Sequence, residues 1–153
     1  RTSMQSFIPR DSDLDKEIIS KTKELTKIPE ENYENTSVIR YKEGEEYRVH
    51  HDYFIPSMPT YDAVISRGGN RLSTALFILR EPLAGGETHF PQLNNLMIAP
   101  KTGRVIIWQN IFLHNVFGDI KWTLNTQSQH AGLPVTSGEK WIATKWIRAS
   151  KHE

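Results

Sequence analysis

Residues 37–54 read SVIRYKEGEEYRVHHDYF and contain the clearest sequence evidence for the type of fold. This stretch contains two runs rich in β-branched and aromatic residues, SVIRY and EEYRVHHDYF, punctuated by Gly44. Such runs, bounded by turn residues, are typical of consecutive β-strands. The second run also carries His50, His51 and Asp52, whose polar groups are costly to bury unless a partner satisfies them. The stretch therefore predicts strands with a polar site on them.

The same pattern of β-branched and aromatic runs continues to the end of the chain. Further β-rich runs are NRLSTALFIL, GETHF, GRVIIWQN and EKWIATKWIR, which brings the prediction to six or more strands. Before them, helix-capping residues at 11–13 precede Leu14, Ile18, Leu25 and Ile28 at near-helical spacing, and Pro29 ends the pattern. We expect a mainly β sandwich or barrel with one helix packed outside it.

Length and charge narrow the class of protein. The chain has 153 residues, which suits a single domain over 1–153, and its 19 basic and 18 acidic residues leave a net charge of +1. This balance gives no field that would favour nucleic acid or anionic lipid, so we expect neither as a partner. The absence of cysteine excludes a disulfide scaffold, a thiolate metal site and a cysteine nucleophile. No apolar run approaches the roughly 18 residues of a membrane span.

The segment 55–70, IPSMPTYDAVISRGGN, is the most loop-like part of the chain because it holds two prolines and a glycine pair. A loop of this length is often a lid or a binding element. A plain solvated connection fits the composition equally well, and the two interpretations stay open.

A metal site is the main chemical hypothesis. On a strand, His50 and Asp52 lie on one face, roughly 7 Å apart at the Cα level, while His51 faces the other side. A distant third ligand would complete the 2-His-1-carboxylate set of non-heme Fe(II). The motif H-x-D alone is weak evidence, and a hydrogen-bonded histidine beside a solvated aspartate is the alternative. Among the other histidines we favour His130 over His114, because a lysine follows it.

Lys140 is the lysine in question. The turn at 136–139 is expected to form a hairpin that brings Lys140 beside the strand of His130. A metal ligand and an ammonium group facing one cavity suit a small dianion that chelates the metal at one end. A surface lysine whose stem covers apolar side chains is the alternative interpretation.

Three motifs, taken in order, resemble the catalytic domain of prolyl 4-hydroxylases, which are Fe(II)- and 2-oxoglutarate-dependent dioxygenases. They are Tyr41-x-x-Gly44-x-x-Tyr47-x-x-His50-x-Asp52, then Gly85-Gly86-Glu87-Thr88-x-Phe90-Pro91, then the segment 130–146 with His130-Ala131-Gly132 and Lys140-Trp141. The resemblance extends over nearly the whole chain, since Arg1-Thr2-Ser3 also matches. It implies a double-stranded β-helix, the jelly roll of cupin-like proteins, with an N-terminal supporting helix.

The resemblance also implies a role for each matched position. His50, Asp52 and His130 would bind iron. Lys140 would pair with the distal carboxylate of 2-oxoglutarate, in a pocket lined by Tyr41 and Thr88. Tyr47, Arg71 and Trp146 would lie near the peptide and the hydroxylation site. For these last three, ordinary packing or a surface charge is an equally good interpretation. The implied cofactors are Fe(II), 2-oxoglutarate and O2, with ascorbate as a further candidate.

The implied reaction is 4-hydroxylation of prolyl residues in peptides or proteins, coupled to oxidative decarboxylation of 2-oxoglutarate to succinate and CO2. The alternatives are the same chemistry on free proline or another residue type, and a non-catalytic module that binds proline-rich peptides. We expect the chain to lack the family's usual N-terminal supporting segment. A soluble, cytoplasmic-type bacterial or viral protein is favoured over one of the endoplasmic reticulum lumen, because cysteines and a retention tail are absent. Oligomeric state is not predicted.

Overall fold

Two antiparallel sheets face each other in the computed structural model, which describes residues 1–153. The larger sheet has five strands and the smaller one four, and two two-stranded ribbons complete the structure. This is a jelly roll, as expected. No helix is long and apolar enough to cross a membrane.

The elements have the following bounds. The strands are β1 Met4–Phe7, β2 Ser37–Tyr41, β3 Tyr47–His50, β4 Arg71–Arg80, β5 Ala84–Gly85, β6 Thr88–Phe90, β7 Leu96–Ile98, β8 Val105–Gln109, β9 Ile111–Val116, β10 Asp119–Leu124, β11 His130–Gly132, β12 Val135–Ser137 and β13 Lys140–Arg148. The α-helices are α1 Asp13–Thr26 and α2 Tyr61–Ile65, and 3-10 turns occur at Glu30–Asn32 and Thr126–Ser128. The strand order is β1-β2-β13-β4-β8 in the larger sheet and β3-β11-β6-β7 in the smaller one, and the ribbons are β9-β10 and β5-β12.

The larger sheet buries both of its faces, which explains why β4 and β13 read as nearly continuous apolar runs. Leu76 and Ile78 of β4 and Ile142 of β13 point between the two sheets and form the main core. The alternate residues Ala75, Phe77 and Ala143 point outward and pack against Ile18 of α1. Because successive side chains of a strand point to opposite faces, these two sets are separated by the sheet itself.

Helix α1 is attached to the sheet by a buried ion pair as well as by apolar contacts. Lys145 Nζ lies 3.4 Å from Asp15 Oδ1 and donates a hydrogen bond of 2.8 Å to Thr36 Oγ1. Ser12 caps the helix by accepting a hydrogen bond from the backbone N–H of Asp15. All three members of the network, Asp15, Lys145 and Thr36, are buried. The predicted helix and its capping region are therefore present.

The strand predictions are confirmed in each of the six runs, but the hairpin expected at 136–139 is wrong in its pairing. Strand β13 pairs with β2 and β4, whereas β11 pairs with β3 and β6. Residues 135–137 form β12, which pairs with β5. Lys140 and His130 consequently belong to opposite sheets. The segment 55–70 contains the short helix α2, which the composition did not indicate.

Candidate functional site

A cavity of about 330 Å³ opens between the two sheets and gathers all the predicted site residues. Twenty residues line it. They include every candidate from the sequence: Tyr41, Tyr47, His50, Asp52, Arg71, Thr88, His130, Lys140 and Trp146. Residues more than 100 positions apart in the chain thus share one enclosed space. Their roles within it follow from the local geometry.

His50, Asp52 and His130 form a group that can hold a metal ion, since one ligand atom from each lies within 4.8 Å of the others. The Nε2 atoms of His50 and His130 lie 3.5 and 3.7 Å from the two carboxylate oxygens of Asp52. These separations are longer than ordinary hydrogen bonds and leave room for a cation between the three side chains. Asp52 lies just beyond the end of β3, so it approaches His50 from a loop rather than from the strand.

Each imidazole is held in the orientation that a metal requires. His50 Nδ1 lies 2.8 Å from the carbonyl oxygen of Arg48, and His130 Nδ1 lies 2.8 Å from that of Ser128. Because a carbonyl can only accept, each Nδ1 carries a proton, and in the neutral imidazole the lone pair is then on Nε2. Two such nitrogens and one carboxylate oxygen are the donor set of the non-heme Fe(II) facial triad. The residues present therefore fit this metal.

Asp52 is ionised in this surrounding. Burial alone would raise its pKa, but contacts with His50, His130 and Thr74 outweigh that effect and hold the pKa of Asp52 below its usual value. Thr74 Oγ1 donates a hydrogen bond of 2.7 Å to Asp52 Oδ2. Burial lowers the pKa of His130, against the opposing effect of the Asp52 charge. A neutral His130 beside an ionised carboxylate is a combination that binds a divalent cation.

The far end of the cavity carries a buried positive charge. Lys140 is 2% exposed, and its Nζ donates a hydrogen bond of 2.8 Å to the carbonyl oxygen of Gly86 and lies 4.4 Å from the centre of the Tyr41 ring. Burial lowers the pKa of Lys140 to about 8, which the charge of Glu87 partly opposes. An ammonium group has three donors, and only one finds a protein acceptor here. The geometry suits a carboxylate that enters the cavity.

The glycine pair of the second motif shapes this end of the cavity. Gly85 has φ +76°, and a Cβ added there would lie 2.5 Å from the carbonyl oxygen of Pro134. Gly86 has the same φ, and its Cβ would lie 3.2 Å from the Lys140 side chain. Glycine tolerates both the left-handed backbone and the close approach. The turn that supplies the acceptor for Lys140 therefore requires these residues.

Beside the metal ligands, the cavity is lined by aromatic and cationic side chains. The ring of Tyr47 lies 3.6 Å from that of His50, centre to centre. The Arg71 guanidinium stacks 3.9 Å above the ring of Trp146 and donates two hydrogen bonds of 2.8 Å to Glu34. Arg71 and Trp146 therefore form one wall of the cavity next to the metal ligands.

Sequence reasoning missed several residues around the metal ligands. His51, expected to face away, also lines the cavity and stacks on Tyr53 with 4.5 Å between ring centres. Thr74 and Asn110 are fully buried and lie behind Asp52. The sequence signal for Thr74 and Asn110 is weak. Thr74 is a polar residue within the apolar run RLSTALFIL, and Asn110 directly follows the run GRVIIWQ.

Comparisons with known proteins agree with this geometry. The family model described as "2OG-Fe(II) oxygenase superfamily" matches residues 36–148. The viral collagen prolyl hydroxylase of Paramecium bursaria Chlorella virus-1, solved as its 2OG complex, is 33% identical to this chain in sequence, with a TM-score of 0.72. The match covers 99% of this chain and 82% of the viral one. Prolyl 4-hydroxylase 2 of Arabidopsis thaliana is 32% identical over 100% of this chain and 54% of its own length.

A relative from Acanthamoeba polyphaga mimivirus is 34% identical over 99% of this chain and 60% of its own length. The chain therefore spans little more than half the length of the curated relatives it matches. The predicted fold class and the cofactors Fe(II) and 2-oxoglutarate are confirmed by the family match, the structural relative and the His-Asp-His group. The chain belongs to the 2OG-Fe(II) oxygenase superfamily and, within it, to the prolyl 4-hydroxylase family.

Proposed function

We propose that this chain catalyses 4-hydroxylation of prolyl residues in peptides or proteins, coupled to decarboxylation of 2-oxoglutarate to succinate and CO2. One observation carries the proposal: the His50, Asp52 and His130 group and the unpaired ammonium of Lys140 line the same cavity. A module that only bound peptides would need neither. The family's prolyl hydroxylases support the choice of substrate.

Each residue of the cavity has a binding role that follows from its position. His50, Asp52 and His130 hold Fe(II), and Lys140 binds the distal carboxylate of 2-oxoglutarate, with Tyr41 and Thr88 as walls of that pocket. The bound iron and cosubstrate supply the oxidising chemistry, while the protein supplies ligand geometry, a dry pocket and orientation. Burial raises the pKa of Tyr41 to about 12, so its hydroxyl stays protonated and can donate to a carboxylate.

The prolyl substrate would enter at the mouth, where Tyr47, Arg71 and Trp146 lie next to the metal group. Arg71 is fixed by Glu34 and by its stacking on Trp146, so the wall is formed before any peptide binds. Preformed aromatic surfaces of this kind suit proline-rich peptides, which need little ordering. Residues 1–153 would act as one catalytic domain. Ascorbate as a further cofactor and a soluble, cytoplasmic-type compartment stay predictions.

The test measures succinate formation from 2-oxoglutarate with Fe(II), with and without a panel of proline-containing peptides, and follows the peptides by mass spectrometry. We expect stimulation by peptide and the gain of one oxygen atom on proline. Oxygen gained only by free proline or by another residue type would replace the substrate assignment. Peptide binding with no succinate would favour the non-catalytic module.

The metal assignment has its own readout. Fe(II) and 2-oxoglutarate added without oxygen should produce a weak charge-transfer absorption band. His50→Ala and Asp52→Ala should abolish the band, whereas His114→Ala should keep it, because His114 is exposed on β9 and bonds only to Thr123. A band and succinate production that survive the first two substitutions would show that the metal binds elsewhere.

A further inference from the structure

Behind the metal group, a line of buried hydrogen bonds leads away from Asp52. Asn110 Nδ2 donates a hydrogen bond of 2.9 Å to Thr74 Oγ1, and Thr74 Oγ1 donates one of 2.7 Å to Asp52 Oδ2. Thr74 and Asn110 are both 0% exposed. We propose that Thr74 and Asn110 are positioning residues that fix the Asp52 carboxylate for metal binding. The inference deepens the metal site of the proposed function and rests on it.

The direction of these hydrogen bonds follows from the chemistry of the groups. An ionised carboxylate can only accept, so the single hydroxyl proton of Thr74 is committed to Asp52 Oδ2. Thr74 Oγ1 must then accept from Asn110, and the amide side chain is the donor in that contact. The chain of donors therefore points in one direction, from Asn110 to the carboxylate.

This contact distinguishes the two oxygens of Asp52. Oδ2 is bound by Thr74 and lies 3.7 Å from Nε2 of His130, whereas Oδ1 receives no hydroxyl and lies 3.5 Å from Nε2 of His50. A carboxylate tied at one oxygen cannot rotate freely, so both oxygens keep these positions relative to the two imidazoles. Partners of this kind behind a ligand typically change metal affinity by about 10- to 100-fold when they are removed.

The Thr74 side chain lies between two indole rings. Thr74 is paired in register with Trp146 of β13 and with Trp108 of β8. Residues directly opposite one another in a sheet point to the same face, so the two indole rings flank the Thr74 side chain. Thr74 is 0% exposed, so its hydrogen bond to Asp52 is shielded from bulk solvent.

Asn110 is itself held by the backbone on both sides. Its N–H donates to the carbonyl oxygen of Leu72 at 2.8 Å, and its carbonyl oxygen accepts from the N–H of Asn125 at 2.9 Å. These bonds place it between β8 and the base of the β9-β10 hairpin. Its amide donor is thus at a fixed distance from Thr74 before a metal ion binds. The arrangement is preorganised by the sheet, which is what precise ligand geometry requires.

The test uses Co(II) binding to the metal-free protein, measured by titration calorimetry without 2-oxoglutarate. Thr74→Val keeps the shape of the side chain and removes the hydroxyl, and we expect Co(II) affinity to fall by about 10- to 100-fold. Thr74→Ser keeps the hydroxyl, so its Co(II) affinity should lie within a few-fold of the wild-type value. Thr22→Val is the matched control, since Thr22 is equally buried but its hydroxyl bonds to Ile18 in α1.

A double substitution tests whether Asn110 acts through Thr74. Asn110→Leu alone should weaken Co(II) binding, and adding it to Thr74→Val should weaken binding no further, because residues in one network are not additive. Unchanged Co(II) affinity in Thr74→Val, with only a lower melting temperature, would overturn the inference. Failure of wild-type protein to bind Co(II), by contrast, would refute the metal site itself.

Discussion

Lys140→Met is expected to have opposite effects on the stability of the protein and on cosubstrate binding. The substitution keeps the length of the side chain and removes its charge. In the folded protein this charge is 2% exposed and has a single acceptor, the carbonyl oxygen of Gly86. Burying an ammonium group without an anion is unfavourable. Lys140 should therefore reduce the stability of the protein when no cosubstrate is bound.

The magnitude follows from the pKa. Burial lowers the pKa of Lys140 from 10.5, the value of an ordinary lysine, to about 8 in the folded protein. At about 1.4 kcal/mol per pH unit, this difference corresponds to roughly 3 kcal/mol of lost stability. Removing the lysine leaves the Gly86 carbonyl without its donor, which costs about 1 to 3 kcal/mol. We expect a net gain of about 1 kcal/mol in the free energy of unfolding for Lys140→Met at pH 7.

Cosubstrate binding should change in the other direction. Removing one partner of a buried ion pair typically costs about 3 to 5 kcal/mol, so affinity for 2-oxoglutarate should fall by more than 100-fold. Urea denaturation gives the stability, and calorimetric titration of 2-oxoglutarate in the presence of Mn(II) gives the affinity. Lys101→Met, which removes an exposed lysine, should change neither.

The pH dependence provides an independent check. Because the pKa of Lys140 is lower in the folded than in the unfolded state, its cost to stability is complete below about pH 8 and disappears as the pH rises towards 10.5. The gain in the free energy of unfolding that Lys140→Met shows over wild type should therefore become smaller above pH 8. Affinity of the wild type for 2-oxoglutarate should fall over the same range, since the neutral amine binds anions poorly. A variant that is less stable at pH 7 and binds 2-oxoglutarate normally would refute this reasoning.

Three further predictions concern the pocket, the helix anchor and the glycine turn. Gly132→Ala places a Cβ 3.7 Å from both Lys140 Nζ and Tyr41 Oη, in the part of the cavity proposed for 2-oxoglutarate. Calorimetry should show about 10-fold weaker 2-oxoglutarate binding and unchanged Co(II) affinity. An equal loss of 2-oxoglutarate and Co(II) affinity would mean general misfolding. Lys145→Met leaves Asp15 buried without its cation and should lower unfolding free energy in urea by about 3 to 5 kcal/mol, whereas Lys21→Met, in an exposed pair, should change it by less than about 1 kcal/mol. Gly85→Ala, whose Cβ would lie 2.5 Å from the Pro134 carbonyl oxygen, should lower the melting temperature sharply, and a change within error would contradict the close approach.

Local pattern located helix α1 and six of the thirteen strands. The strands β9 and β10, of six residues each, and short strands such as β5 and β7, of two and three residues, were not predicted. Segments of two or three residues carry too little periodicity to be distinguished from loops, and they form only because a neighbouring strand is already in place.

The chemical groups of the site could be identified from local motifs: the H-x-D motif, His130, Lys140 and the glycine pair. Their arrangement in space depends on the packing of the two sheets. His130 and Lys140 come from opposite sheets rather than from one hairpin, and Thr74 reaches Asp52 while Asn110 binds Thr74 from behind. The physical reason is that strand pairing between distant segments depends on how the two sheets close around a shared core. That closure is a property of the whole chain, and no local spacing encodes it.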